Sequence, residues 1–475
     1  MANRASAVIV LCALGALSSP AQTFTTLASF SGTNGANPHA GLMQVTDGDL
    51  YGTTKLGGAQ FRGSVFKITA SGTLTTLHSF CSLALCSDGA NPYAPLVQAA
   101  NGDLYGTTAA GGMCAEGTVF KISLHGALTT LYCFCSLANC ADGSVPYAGL
   151  VQATDGDLYG TTLSDGAHSG GTVFRITPAG TLTTLYSFCS LANCADGEGP
   201  QAGLLEASNR ELYGTTARGG ANLGGTIFQI APSGTLTTLY TFCSLANCSD
   251  GELPYGTLMQ AADGELYGTT SGGGADGAGT VFRITPSGTL TTLYSFCSLE
   301  HCADGRDPHA GLIQATDGNL YGATVAGGTN VGGTLFQITP SGTLTTLYRF
   351  CSQGYPCPDG KYPAGLVQAT NGNLYGTTID GGANLAGTVF GLSLGLAPFV
   401  ESLPTAGKVG SRAKILGTDL TGATSVTFNS SVATFKVASA TLITATVPAG
   451  ATTGTIQVVT PSGTLSSNVP FRILK

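Results

Sequence analysis

The tripeptide Leu-Tyr-Gly returns with its tyrosine at Tyr51, Tyr105, Tyr159, Tyr213, Tyr267, Tyr321 and Tyr375, a constant step of 54 residues. A period that strict means one supersecondary unit copied along the chain, each copy burying its apolar face only by stacking on its neighbours. In the third copy GLVQA, DLYGTT, GTVFRI and TLTTLYSF are short, rich in β-branched and aromatic residues, and separated by Asp-Gly, Gly-Gly and Pro-Ala-Gly. They read as four strands joined by turns, and no segment has a helical period. Four antiparallel strands per copy predict a propeller blade, whereas a solenoid coil needs about half that length. The seventh copy stops after GTVFGLSL, while an orphan TFTTLASF stands near the start. Pairing residues 23–30 with 388–393 would supply the missing fourth strand and leave no free edge there. The expected fold is all-β: a seven-bladed β-propeller of four-stranded repeats over residues 22–396, its first and last blade shared, followed by a C-terminal immunoglobulin-like β-sandwich over residues 397–475.

Only 9% of residues are charged, the formal net charge is −8, and no basic cluster occurs. A nucleic-acid partner is therefore not expected. With 43% apolar residues the chain can bury enough surface to fold. Residues 1–21 carry one cation, Arg4, then the run AVIVLCALGAL, then small residues at Ser19 and Ala21. This is the pattern of an export signal, and the run is short of the roughly 20 apolar residues that span a bilayer. The expected product is a secreted or cell-surface monomer with no membrane span in its mature part and no cofactor.

Through DGDLYGTT, the Gly-Gly that follows, GTVFRITPSGTL and TTLYSF, residues 22 to about 396 resemble the GloVer-type tandem repeat proteins of bacterial cell surfaces. That resemblance implies a surface location and no particular chemistry. From about Ala397 the period stops. The Pro404 and Gly407 opening, GTDLTGATSVTF, ITATVPAGATTGTIQVVTPSG and a final Phe-x-Ile strand resemble an IPT/TIG domain, an immunoglobulin-like sandwich without a cysteine pair. The resemblance implies a spacer or adhesion module.

Cys12 falls in the leader, and the other 14 of 15 cysteines are an even number in an exported chain, which predicts disulfides. Five pairs follow C-x4-C (Cys81 with Cys86, Cys135 with Cys140, Cys189 with Cys194, Cys243 with Cys248, Cys297 with Cys302), and Cys351 with Cys357 is one residue wider. Cys114 and Cys133 remain as an expected seventh bridge, because antiparallel pairing about Leu124 and His125 sets Glu116 opposite Cys133. Two ligands per C-x4-C and no recurring histidine make zinc the weaker reading, and no metal site is assigned.

Successive strands run antiparallel, so the turns divide between two faces. Tight TDGD and TPSG connections occupy one; the disulfide loops and the Gly-rich loops between second and third strands occupy the other. Binding residues belong on such loops. The candidates there are His39, Arg62, Glu116, His168, Glu198, Arg218, Glu252, His301, Arg306, Asp307, His309 and Lys361, with His301, Arg306, Asp307 and His309 crowded into one loop. Asp88, Asp142, Asp196, Asp250, Asp304 and Asp359 recur in the disulfide loops, either as turn formers or as a carboxylate ring for calcium. The strand tyrosines and phenylalanines are assigned to packing between blades. No Ser/His/Asp set, P-loop, GxSxG or zinc-protease motif is present, and Trp is absent. The expected function is a non-catalytic scaffold binding a glycan or a protein through the looped face. The alternative, an extracellular polysaccharide hydrolase or lyase, rests on fold analogy and needs two carboxylates facing each other across the funnel. No catalytic residue is assigned.

Overall fold

A computed structural model of the chain describes residues 22–474; the expected export signal lies outside the described residues. Numbering the copies 1 to 7 by their Leu-Tyr-Gly, the fold repeats one unit. In copy 3 the strands are Val151–Gln152, Leu158–Thr162, Thr172–Ile176 and Leu182–Ser187, hydrogen-bonded in that order. Residues 22–396 form seven such four-stranded antiparallel sheets, and the whole is all-β and propeller-like. The first strand of copy 3 is two residues long, shorter than the GLVQA expected, because residues before it run inward from the loops and have no ladder partner.

The sequence of each strand follows from its place. Tyr159 is fully buried, and its hydroxyl donates to Asp155 Oδ2 at 2.6 Å, so the turn acid satisfies the one polar atom the ring carries inward. Burial, then the Asp155 hydrogen bond, pushes that phenol well above its usual range. Gly160 follows because a Cβ there would stand 2.6 Å from the Phe174 ring. The fourth strands keep one side partly exposed, as edge strands do.

Neighbouring sheets share cores. Val45, Tyr51, Val65 and Phe80 of copy 1 pack on Leu96, Leu104, Phe120 and Ile122 of copy 2, and the pattern continues from copy to copy. Strand Thr23–Ser29 pairs antiparallel with Thr388–Ser393, as the orphan segment predicts, and completes the sheet of copy 7. That sheet packs on copy 1: Phe30, Tyr375 and Val389 share a core with Leu42, Phe66 and Ile68. A second set of links runs through the first strands. Each carries a Gln, or Glu206 in copy 4, whose Oε1 accepts a backbone N–H from the copy before it: Gln98 from Thr46, Gln152 from Ala100, Glu206 from Thr154, Gln260 from Ser208, Gln314 from Ala262, Gln368 from Thr316. Gln44 of copy 1 accepts from Thr370 of copy 7 at 2.8 Å.

Six disulfides join the C-x4-C and C-x5-C pairs as the spacing predicts. The expected seventh bridge does not form: Cys114 and Cys133 are free thiols. The ladder at the turn pairs Ile122 with Leu128, one residue off the expected register, and a bulge between Val119 and Phe120 adds one more, so Thr118, not Glu116, stands opposite Cys133. The thiols still meet, and burial, then the hydrogen bond with Cys133, raises Cys114 to about 11.

The C-terminal region is a sandwich of two four-stranded sheets around Ile415, Val426, Phe428, Ile443, Ile456 and Phe471. It sits on the tight-turn face: Thr441 lies against Gly48, Lys414 Nζ donates to Ala100 O, Arg472 pairs with Glu206, Thr316 Oγ1 donates to Ala397 O, and Thr370 and Thr418 share a hydrogen bond.

Candidate functional site

The looped face is built by backbone bridges between the disulfide loop that enters a copy and the Gly-rich loop of the same copy. Glu198 N donates to Arg218 O at 2.9 Å and Arg218 N to Glu198 O at 3.0 Å; Glu252 with Gly272 and Arg306 with Ala326 repeat the pair. Inside the disulfide loops the aspartates turn inward and accept several hydrogen bonds, although Oδ1 of Asp359 is buried without a partner. Asp196 is 1% exposed; its Oδ2 accepts from Tyr186 Oη at 2.9 Å, Ser190 N at 3.0 Å and Ser190 Oγ at 2.9 Å, and its Oδ1 from Leu191 N at 3.2 Å. Burial alone would raise this carboxyl, but the donors outweigh it and hold it below the usual carboxylate range. Asp88, Asp142 and Asp250 behave alike. These carboxylates are loop formers facing inward, and the calcium-ring reading finds no outward oxygen set.

The sequence candidates fall into two groups. Arg62, His168, Arg218, His301 and Arg306 are exposed on the outer loops. Glu116, Glu198 and Glu252 are half-buried there, Arg306 lies 3.8 Å from Asp307, and Lys361 is paired with Asp380 at 3.1 Å. His39 and His309 belong to something else. In copies 1 to 6 one side chain lies between the loop that enters the copy and its first strand: His39, Tyr93, Tyr147, Gln201, Tyr255 and His309. His39 and Tyr93 have ring centroids 5.2 Å apart, Tyr93 and Tyr147 4.2 Å, Tyr255 and His309 5.0 Å. Tyr147 stands near both Tyr93 and Tyr255, and His39 near His309, so these five rings form a collar in which Gln201 holds the equivalent position of copy 4.

The repeat positions this collar from behind. The first threonine of the second strand donates to the carbonyl next to the collar residue of the following copy: Thr53 to Ala94, Thr107 to Ala148, Thr161 to Ala202, Thr215 to Pro254, Thr269 to Ala310, and Thr377 to Ala40. Copy 6 has Ala323 instead, and copy 7, which follows it, has no collar residue. Its disulfide loop is one residue longer and the inward segment one shorter: Pro363 packs on Gly333 as Pro308 does on Gly279. The collar is open between His309 and His39.

What distinguishes these side chains is their free polar atoms. Strand tyrosines spend their hydroxyls on turn or loop side chains, as Tyr51 does on Asp47 and Tyr240 on Asp250. Among the described residues, the hydroxyls of Tyr93, Tyr147 and Tyr255, the amide of Gln201 and the imidazoles of His39 and His309 make no hydrogen bond. The collar's histidines are held toward the neutral form. Burial, then Lys55 and His309, lowers His39 to about 4; burial lowers His309 against the pull of Asp307, although its ring stays open to water; burial, then Tyr93 and Tyr255, raises Tyr147 to about 12. Lys55 Nζ, 4.7 Å over the Tyr93 ring, is the nearby cation. Sequence reasoning found the two histidines and missed Tyr93, Tyr147, Gln201 and Tyr255, because the position varies in identity from copy to copy. Ala323, which stands where the other copies have threonine and precedes the copy without a collar residue, is the signal that could have found it.

The pattern of the Gloeobacter/Verrucomicrobia repeat matches residues 14–141, 135–302 and 298–414, and that of the IPT/TIG domain residues 398–473. No curated protein matches the chain. Among solved structures, a candidate gluconolactonase is 12% identical over 80% of this chain and 94% of its own, at a TM-score of 0.39. A luciferin-regenerating enzyme is 13% identical over 62% and 89%, at 0.39. An auxiliary nutrient binding protein from Bacteroides thetaiotaomicron is 12% identical over 61% and 66%, at 0.38.

Proposed function

We propose that this chain, which belongs to the Gloeobacter/Verrucomicrobia repeat family and ends in an IPT/TIG domain, is an exported, monomeric, non-catalytic scaffold that binds a neutral glycan at its collar. The observation that carries the reading is the set of aromatic, amide and imidazole groups with unspent hydrogen-bonding atoms on the looped face, half-buried except for the exposed His309. Sugars offer apolar ring faces to aromatic side chains and hydroxyls to just such donors and acceptors. A collar with no carboxylate, lysine or arginine among its own side chains suits a neutral polyol better than a phosphate or a charged peptide. We infer further that the seven sheets close as one ring: the Gln44 link to Thr370 and the core shared by Phe30 and Phe66 support closure. Six disulfides support an oxidising compartment, and no helix among the described residues is long and apolar enough to cross a membrane. The hydrolase or lyase alternative gains no support from the collar, which contains no carboxylate.

The test is native electrophoresis through gels that each contain one polysaccharide, with wild type beside Tyr93→Ala/Tyr147→Ala, followed by staining for the polymer. Retardation of wild type, recovered mobility of the variant and intact polymer are expected. A cleared zone would establish the enzyme reading, retardation untouched by the substitutions would move the site off the collar, and free migration in every gel would point to a protein ligand.

A further inference from the structure

Copy 4 departs from the others in one stretch. Where they read Gln at the end of the first strand and Asp-Gly or Asn-Gly in the turn, copy 4 reads Glu206 and Ser208-Asn209-Arg210-Glu211. The turn glycine has positive φ in the other six copies, between 81° and 96°. Arg210 adopts the same left-handed backbone at φ 69°, a conformation that costs a residue with a Cβ about 1 kcal/mol or more and persists where it serves a site.

These changes meet at one place. Glu206 reaches Arg472 of the C-terminal domain at 2.9 Å, and beside that pair the two domains line a half-open cleft of about 640 Å³ with the exposed Arg210 at its edge. The size is that of a small-molecule site, and a domain seam is where such sites occur. Its wall is mixed: Met259, Val469, Pro470 and Ile473 give an apolar side. Gln260 and Gln314 also line it, but their amides are spent on Ser208 and Gly264, and on Ala262 and Gly318. Glu206 neutralises Arg472. Arg210 is left: among the described residues its guanidinium has no ion-pair or hydrogen-bond partner, and it also borders a second cavity of about 370 Å³ that Lys408 lines.

We propose that this seam is a second binding site, separate from the collar, for a small monoanion with an apolar body, of the kind a medium-chain carboxylate represents. Arg210 holds the anionic head by charge-assisted hydrogen bonds, and the Met259, Val469, Pro470 and Ile473 side takes the hydrocarbon. The strained backbone of Arg210 is retained because glycine there would leave the cavity with no free cation.

The test titrates sodium octanoate and, separately, 1-octanol into the full chain by calorimetry, for wild type and Arg210→Gly. The variant carries the residue that six copies already have at this turn, so it folds at least as well, which its melting temperature checks. Octanoate is expected to bind wild type and to lose at least about tenfold in affinity in Arg210→Gly, while octanol binds more weakly and equally to both. Octanoate binding unchanged by the substitution, octanol matching octanoate in wild type, or no octanoate heat at millimolar concentration would each overturn the assignment.

Discussion

Glu206→Gln gives copy 4 the residue its six counterparts carry. In copy 3, Gln152 Oε1 accepts from Ala100 N and its Nε2 donates to the turn carbonyl of Gly156 at 2.9 Å. The substituted amide in copy 4 keeps the Thr154 link and gains a donor aimed at the Arg210 carbonyl, so the sheets themselves lose nothing. The loss falls on the seam, where Arg472 keeps only Ala207 O, at 2.9 Å. Removing one partner costs about 0–1 kcal/mol for an exposed pair and about 3–5 for a fully buried one. With side chains 20% and 7% exposed for Arg472 and Glu206, the cost is about 2–3 kcal/mol, roughly 30- to 150-fold in the docking equilibrium. Thermolysin cleavage of the connection between Ser393 and Phe399 reads that equilibrium when reclosing outpaces cleavage. The rate should rise by that factor in Glu206→Gln, rise similarly in Arg472→Met, and rise no further in the double variant. A cleavage rate for Glu206→Gln within twofold of wild type would show that the pair does not hold the domain in place.

Asp196→Asn sets an NH2 or a weaker acceptor against donors that now share a carboxylate, and thermal unfolding should show a loss of about 2–4 kcal/mol; an unchanged melting temperature would mean the disulfide alone shapes the loop. Because the folded carboxyl is lowered, its stabilisation is present above the unfolded value near 3.8 and is lost as pH falls through the folded value, so the variant should lose part of the wild-type acid sensitivity. His39 is lowered to about 4, so the unfolded chain takes up its proton first: stability should hold above about pH 6.5 and decline toward about 4, and His39→Gln should flatten that slope in denaturant titrations at pH 7, 5.5 and 4.5, an equal slope in both proteins counting against it. Phe30→Ala, at a fully buried site between copies 7 and 1, should cost about 3–5 kcal/mol, the same as Phe188→Ala at an inner seam; a cost under about 1 kcal/mol would mean the ring does not close there.

The repeat made most of the scaffold legible. Leu-Tyr-Gly, the Asp or Asn of the turn and the Gly-rich loops are local signals that recur from copy to copy, so strand order, the closing strand and six disulfides followed from spacing alone. The partner expected opposite Cys133 was wrong in part because a bulge changes register without changing sequence length: Val119 and Phe120 look no different from their counterparts elsewhere in the repeat. The outer-loop candidates were chosen as polar residues that vary between copies, and variation on a solvated loop does not say which side chains converge.

What the sequence by itself determined is whatever one copy and its nearest neighbour specify: the blade-like unit, its turns, the loop aspartates and the boundary of a different C-terminal module. Only the tertiary structure brings together the residues of the two proposed sites. The collar takes one residue from each of six copies, so its members stand about 54 residues apart and share no single identity; packing around a common centre, not adjacency in the chain, makes them a group. Docking of the C-terminal domain is likewise settled by Arg472 finding Glu206 across 266 residues. Among seven first-strand positions in near-equivalent surroundings, one negative charge distinguishes a single orientation, and a preference of that kind exists only once the strands have been brought together.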